Sequence, residues 1–339
     1  MKATTDEPEQ TTEQPSGERM VELYRIMVLS RYLDERVWLL NRQGKAAIAA
    51  SAQGHEAAQV ACVEATDPSK DHYLTYYRQF TAMIALNTEP EEMLRGFLAK
   101  ADDPMSAARQ FPLHGAHPRV DLFNFSNVIA TQLPQAAGVA LADKLRGFDA
   151  VTVVFFGDGA SSQGDTHEAM NFAAIHKLPV VFFCENNRYA ISVPLDKQMG
   201  IESIATRAAS YGFPGVQVDG TDIVAVYEAT SAAVKRARSG QGPTLIEASV
   251  ERLLPHTTDD DHTRYRSAED IAQMPERDPI RVVSAMLRRR DLLTESQDAA
   301  IHAGAKERVN VATDIVDAEP YPGVETMFDH TDVDPRGRN

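Results

Sequence analysis

Asp158 and Asn187 are the side chains whose type and spacing in this 339-residue chain point most directly to chemistry. Asp158 sits between Gly157 and Gly159 at the end of the apolar run 151–156, and Asn187 follows a second apolar run, 180–184. A carboxylate and an amide oxygen are hard donors of the kind magnesium takes. Gly157, Gly159 and Gly164 let the backbone approach a bulky anion, and the free N–H groups of a following helix would face it. A magnesium-bound diphosphate is the ligand these residues suit.

Both apolar runs have strand length and are rich in β-branched and aromatic residues. Between them Asp165 and Glu168 read as a capping box. Residues 166–176 then carry helical spacing (Ala169, Phe172, Ala173, Ile175) until Pro179. A strand–helix–strand unit of this length places its strands in parallel in one sheet. Asp158 and Asn187 then leave the same sheet edge. Adjacent strands lie about 4.8 Å apart, and two ligands of one magnesium ion, with bonds of about 2.1 Å, lie at most about 4.2 Å apart. One ion can therefore be reached by both.

The alternation continues downstream, with a strand and turn at 216–220, an amphipathic helix at 223–237 and a strand at 243–248. The expected fold class is α/β, a doubly wound and mostly parallel sheet, with ligands beyond the strand carboxyl ends. Helices are expected at 20–41, 57–65, 279–290 and 295–318, with Glu56 a favourable partner for its helix start. Residues 1–19 read as a disordered tail, 20–328 as one α/β domain with helical extensions, and 329–339 as a second tail.

A net charge of −15 argues against nucleic-acid and anionic-membrane partners. No run approaches the length of a membrane span, and the N-terminal residues lack the apolar core of a secretion signal. Cys62 and Cys184 lie in apolar surroundings without metal or disulfide spacing, which fits a reducing, cytoplasmic setting.

Gly157-Asp158-Gly159, then residues 160–185, then Asn186-Asn187, resembles the thiamine diphosphate motif. The wider resemblance, from about 20 to 328, is to the alpha subunit of heterotetrameric 2-oxo acid dehydrogenases. It implies magnesium held by Asp158, Asn187 and the carbonyl of Tyr189. It also implies thiamine diphosphate bounded by Tyr77, Arg78, Asn127, Ile129, Gly157, Asp158, Gly159, Ala160, Asn187, Ile191 and His256. Branched-chain members further imply a potassium ion ringed by Ser126, Val128, Thr131 and Gln132. The implied reaction is oxidative decarboxylation of a 2-oxo acid with acyl transfer to lipoamide on a partner transacylase, with His256 assisting through an imidazole that titrates near neutral pH. The glutamate that activates the cofactor would lie on a beta subunit, in an assembly of two alpha and two beta chains, so this chain alone should be inactive.

The segment 109–114, Arg-Gln-Phe-Pro-Leu-His, resembles branched-chain members, whereas 185–189, Glu-Asn-Asn-Arg-Tyr, is closer to members acting on pyruvate. The balance favours a branched-chain acid, with pyruvate or acetoin as the alternative. Among more distant readings, Asp259-x-Asp261 matches a phosphatase nucleophile signature but follows no apolar strand. A dinucleotide fingerprint would need its third glycine two residues earlier than Gly164. A non-catalytic assembly subunit would have no need of Asp158, Asn187, Arg78 and His256 together.

Overall fold

The computed structural model describes residues 14–117, 119–123 and 126–329. Its strands are His72–Leu74 (β1), Leu122–Phe123 (β2), Thr152–Gly157 (β3), Val180–Asn186 (β4), Tyr189–Ala190 (β5), Val193–Pro194 (β6), Gly215–Asp219 (β7) and Thr244–Ser249 (β8). Six of them form one sheet in the order β2-β1-β3-β4-β8-β7, paired in parallel throughout, while β5 and β6 make a small antiparallel hairpin. The four long strands fall within two residues of the sequence reading. β1, β2 and the hairpin went unanticipated, because elements of two or three residues carry no measurable alternation.

Strand pleating divides the core in two. Val153, Phe155, Val181, Phe183 and Ile246 point to one face; Val154, Phe156, Phe182, Cys184 and Leu245 point to the other. The first face is covered by Gly17–Arg42 (α1), Glu56–Glu64 (α2), Phe80–Ala85 (α3) and Pro90–Phe97 (α4), with more distal helices beyond. The second lies under Gln132–Arg146 (α5), Gly164–Ile175 (α6) and Ala208–Tyr211 (α7). Ile223–Arg238 (α8) closes the first face over β4, β7 and β8. The chain continues through Ala268–Gln273 (α9), Pro279–Arg289 (α10) and Glu295–Asp317 (α11), and α11 packs along α1 and α4. With both faces covered, the central strands read as continuous apolar runs. Truncating Phe155 or Phe183, both fully buried, to alanine is expected to cost about 3–5 kcal/mol.

Two expectations about helix starts are corrected. α1 begins at Gly17 rather than Met20, because the Ser16 hydroxyl accepts the Arg19 N–H and caps it. α6 begins at Gly164, so Asp165 lies inside the helix and the capping box is not formed. Instead the Thr166 hydroxyl donates to the Ala160 carbonyl and ties the helix to the turn after β3. Glu56 does open α2; it is buried, pairs with Arg31 at 2.7 Å and accepts the Gly54 N–H.

Candidate active site

Strand register brings the two rim residues together. Gly157 lies opposite Glu185, so Asp158 and Asn187 are each the first residue past their strand. Both are buried, at 1% and 4% exposure, and the Asn187 N–H favours the charged form of the Asp158 carboxylate. The Asn187 amide oxygen accepts the Tyr189 N–H at 3.2 Å, which folds the chain back toward the hairpin. Burial raises the Asp158 carboxyl above its ordinary range, only partly opposed by Gln198, the Asn187 N–H and the more distant charge of Arg252. A buried carboxylate raised in this way is one that a cation would bring back to its charged form.

The glycines divide by role. A Cβ on Gly159 would meet the Ala190 Cβ at 2.8 Å, so this position holds the turn after β3 against the hairpin. Around Gly157 the nearest atom is the Glu185 carbonyl at 3.9 Å, and around Gly164 nothing lies within 4 Å. Only Gly159 is required by the chain's own packing; the space at Gly157 opens into the cavity.

That cavity has a volume of about 320 Å³. Tyr77, Arg78, Asn127, Ile129, Gly157, Asp158, Gly159, Ala160, Asn187, Tyr189, Ile191 and His256 all line it. Residues far apart in the chain thus converge on a single volume. Of the potassium set, Ser126 and Gln132 reach this cavity, whereas Val128 and Thr131 do not line it. Three of the four are linked by local bonds: the Ser126 hydroxyl accepts the Val128 N–H and the Thr131 hydroxyl donates to the Val128 carbonyl, whereas the Gln132 amide donates to the Phe155 carbonyl of β3. Among the described residues no cluster of three or more His, Cys, Asp or Glu side chains could hold a metal, so His114 and His117 form no such centre. Magnesium on one carboxylate and neutral oxygens would not need such a cluster.

The wall opposite the rim is cationic. Arg78 is buried, its Nη1 donating to the Ser51 carbonyl at 2.7 Å and its Nη2 to His256, at 2.9 Å to the carbonyl and 2.8 Å from Nδ1. With Nδ1 facing a permanent donor, the ring proton of His256 belongs on Nε2. Burial, then Arg78 and Arg252, push the imidazole down to about 3. The expectation of a group titrating near neutrality is therefore corrected: between two guanidinium groups His256 is a neutral hydrogen-bond donor. Arg252 is fully buried behind this wall, its Nη2 donating to the Ile191 carbonyl and the Tyr265 hydroxyl, while Nε and Nη1 have no hydrogen-bond partner. Burial lowers it to about 10.

A buried carboxylate and the buried guanidinium of Arg78 on one cavity, with Arg252 behind it, suit a magnesium-bound diphosphate, whose metal and phosphates would neutralise both charges. Sequence reading missed Tyr76 and Gln198 here, and Arg252 as well. Only Arg252 carried a signal, being a charged residue just beyond β8 at the same rim.

An α/β protein with a parallel sheet whose carboxyl rim presents such a cavity is of the class that grips a cofactor diphosphate there. The chain belongs to the dehydrogenase E1 component family, whose model matches residues 24–325. It is a component of a 2-oxo acid dehydrogenase, and the family works with thiamine diphosphate. It is 44% identical to the 2-oxoisovalerate dehydrogenase subunit alpha of Bacillus subtilis, over 93% of this chain and 96% of that one. It is 39% identical to the pyruvate dehydrogenase E1 component subunit alpha of the same organism, over 92% and 82%. With the 3-methyl-2-oxobutanoate dehydrogenase subunit alpha of Mycobacterium tuberculosis it shares 38%, over 90% and 80%.

Proposed function

We propose that this chain is the alpha subunit of a branched-chain 2-oxo acid dehydrogenase, which decarboxylates the acid oxidatively and passes the acyl group to lipoamide on a partner transacylase. The observation that carries the substrate is a second cavity of about 140 Å³. It shares Tyr77, Asn127 and His256 with the first and is otherwise walled mainly by Ile48, Ala49, Ala50, Phe97, Phe111 and Pro112. An apolar recess beside His256 suits a branched aliphatic group better than the methyl of pyruvate. The relative named for 2-oxoisovalerate supports the same substrate. Of the pyruvate-like segment 185–189, Asn187 and Tyr189 line the cofactor cavity and none of the five lines the apolar recess. Glu185 is fully buried, accepts from Tyr76 and Gln79 and lines neither cavity, so it bears on the support of Tyr76 rather than on substrate choice.

Asp158, Asn187 and the Tyr189 carbonyl would hold magnesium, with Arg78 and Tyr77 on the diphosphate. Ser126, Val128, Thr131 and Gln132 are the residues assigned to a potassium ion. Bound there, thiamine diphosphate supplies the carbon nucleophile and the electron sink for loss of carbon dioxide. His256 presents its Nε2–H to the substrate, and the surrounding apolar walls exclude water. Asp158 is the single carboxylate among the described residues lining the first cavity. The acid that activates the cofactor would therefore come from a beta subunit, set against the exposed side chains of Ile129 and Ile191, which line the cavity. No described helix is long and apolar enough to cross a membrane, and a cytoplasmic complex of two alpha and two beta chains is the assembly proposed.

The test is steady-state turnover of the complex reconstituted with its beta subunit and a lipoyl-bearing partner. The branched acid 3-methyl-2-oxobutanoate is expected to exceed pyruvate in kcat/KM by on the order of 100-fold, since each added carbon in a fitted apolar recess contributes about 1–3 kcal/mol. Equal or better use of pyruvate would overturn the substrate, and turnover by the isolated chain would overturn the need for a partner.

A further inference from the structure

Gln198 lies outside every motif and forms none of the cavity's lining, yet it touches the group on which the proposed metal site turns. Its Nε2 donates to Asp158 Oδ2 at 2.7 Å and to the Val193 carbonyl at 2.9 Å. Its Oε1 is buried and has no partner. Val193 belongs to β6, and β6 pairs with β5, which carries Tyr189 and Ala190. One amide therefore joins the carboxylate that follows β3 to the hairpin that follows β4, the two halves of the proposed site. The joint is reinforced a turn further on. Arg207 Nη1 reaches the Ser161 carbonyl and, at 3.2 Å, the Ser161 hydroxyl, binding the segment after the hairpin to the 3₁₀ turn Asp158–Ser162.

We propose that Gln198 is a positioning residue for the metal, an inference that rests on the reading of Asp158 as a magnesium ligand. By occupying Oδ2 it holds the carboxylate that would ligate the ion in one rotation. By holding the Val193 carbonyl it keeps the Tyr189 backbone at a fixed distance from that carboxylate. Outer partners of this kind typically change metal affinity 10–100-fold when removed. The side chain is only partly buried, so its replacement should leave the fold intact.

The experiment uses the reconstituted complex and compares the parent with Gln198→Met, which keeps length and volume but loses the amide. Lys197→Met serves as the neighbouring control. Calorimetric binding of thiamine diphosphate is followed across a magnesium series, and manganese binding by electron paramagnetic resonance. Gln198→Met is expected to raise the magnesium concentration for half-saturation 10–100-fold. Cofactor affinity and kcat at saturating magnesium should return to within about threefold of the parent, and the metal-free melting temperature should be unchanged. A half-saturation within twofold of the parent overturns the inference alone. A loss that saturating magnesium does not recover also overturns it, because Gln198 would then be supporting the fold. If the parent binds thiamine diphosphate without regard to magnesium, the reading beneath it falls as well.

Discussion

The two ends of the main cavity are held by different kinds of force. At the rim, Asp158 and Asn187 are placed by the pairing of β3 with β4, a ladder of apolar residues that has nothing to do with ligand chemistry. At the opposite wall, Arg78 and His256 are 178 positions apart and meet through a relay of scattered hydrogen bonds between loops. Arg78 holds the Ser51 carbonyl, the Leu253 N–H reaches the Gln53 carbonyl, and the Thr258 N–H reaches the Ala49 carbonyl. The His256 N–H is taken by Asp260, which also accepts the Tyr265 hydroxyl. Geometry fixed by strand pairing should survive loss of a ligand side chain, whereas geometry fixed by the relay should loosen when any link is cut.

The largest effect is expected at the rim. Asp158→Ala should leave the sheet intact, with a melting temperature at or above the parent's, because the residue removed is a buried carboxyl raised by desolvation. Turnover in the reconstituted complex should fall by at least about 10³-fold, or roughly 4 kcal/mol, with magnesium-dependent binding of thiamine diphosphate lost in calorimetry. A variant that unfolds would show that the rim depends on this side chain and not on strand pairing, and one that still binds would move the metal elsewhere.

Cutting the relay should act on stability and binding together. Arg78→Met leaves the Ser51 carbonyl, His256 Nδ1 and the His256 carbonyl without their donor. Each stranded buried acceptor costs about 1–3 kcal/mol, and partial access of water brings the expected total to about 2–4 kcal/mol by urea unfolding. Cofactor affinity should weaken about 10–100-fold. Arg78→Lys should recover little of either, because an ammonium cannot span the three acceptors that the planar fork reaches. Full rescue by lysine would show that charge alone, not geometry, matters at this wall.

The difference in forces is also the difference in what could be read from the chain. β3 and β4 announce themselves as apolar runs, and with them the positions of Asp158 and Asn187, because a parallel pair fixes where strand ends must lie; β7 and β8 were legible from the alternation of strand and helix around them. The cationic wall was legible only through resemblance, since nothing local distinguishes Arg78 or His256 from other polar loop residues. The lowered imidazole was not legible either, because it depends first on burial and then on Arg78 and Arg252, neighbours that no spacing rule connects to it. Gln198 was invisible for the same reason: its partner lies 40 residues earlier, and a lone glutamine after a two-residue strand carries no pattern.

A subtler test at the apolar recess is Ala50→Phe. The cavity of about 140 Å³ that Ala50 helps to wall should be largely filled by the added ring. Turnover of 3-methyl-2-oxobutanoate is expected to fall about 10–100-fold while pyruvate, if accepted at all, changes by less than about threefold. Equal losses on both substrates would mean that the ring had displaced His256 or Tyr77, which border the same space, and not merely filled the pocket.

The smallest expected effect lies in the acid limb of stability. Burial, with Arg78 and Arg252 beside it, holds His256 down to about 3, against 6.5 in the unfolded chain. Below pH 6.5 the unfolded state therefore takes up a proton that the folded state refuses until about pH 3. This residue makes stability fall as pH drops through that window and contributes no slope above it. At pH 5.5 the cost is about 1.4 kcal/mol relative to pH 8. His256→Gln cannot titrate, so its unfolding free energy, measured in urea at both pH values, should change by about 1.4 kcal/mol less than the parent's. Loss of the Arg78 contact lowers both measurements alike and cancels in the difference. A variant whose pH dependence matches the parent's would mean that His256 is already protonated in the folded chain, and that the two guanidinium groups do not govern it.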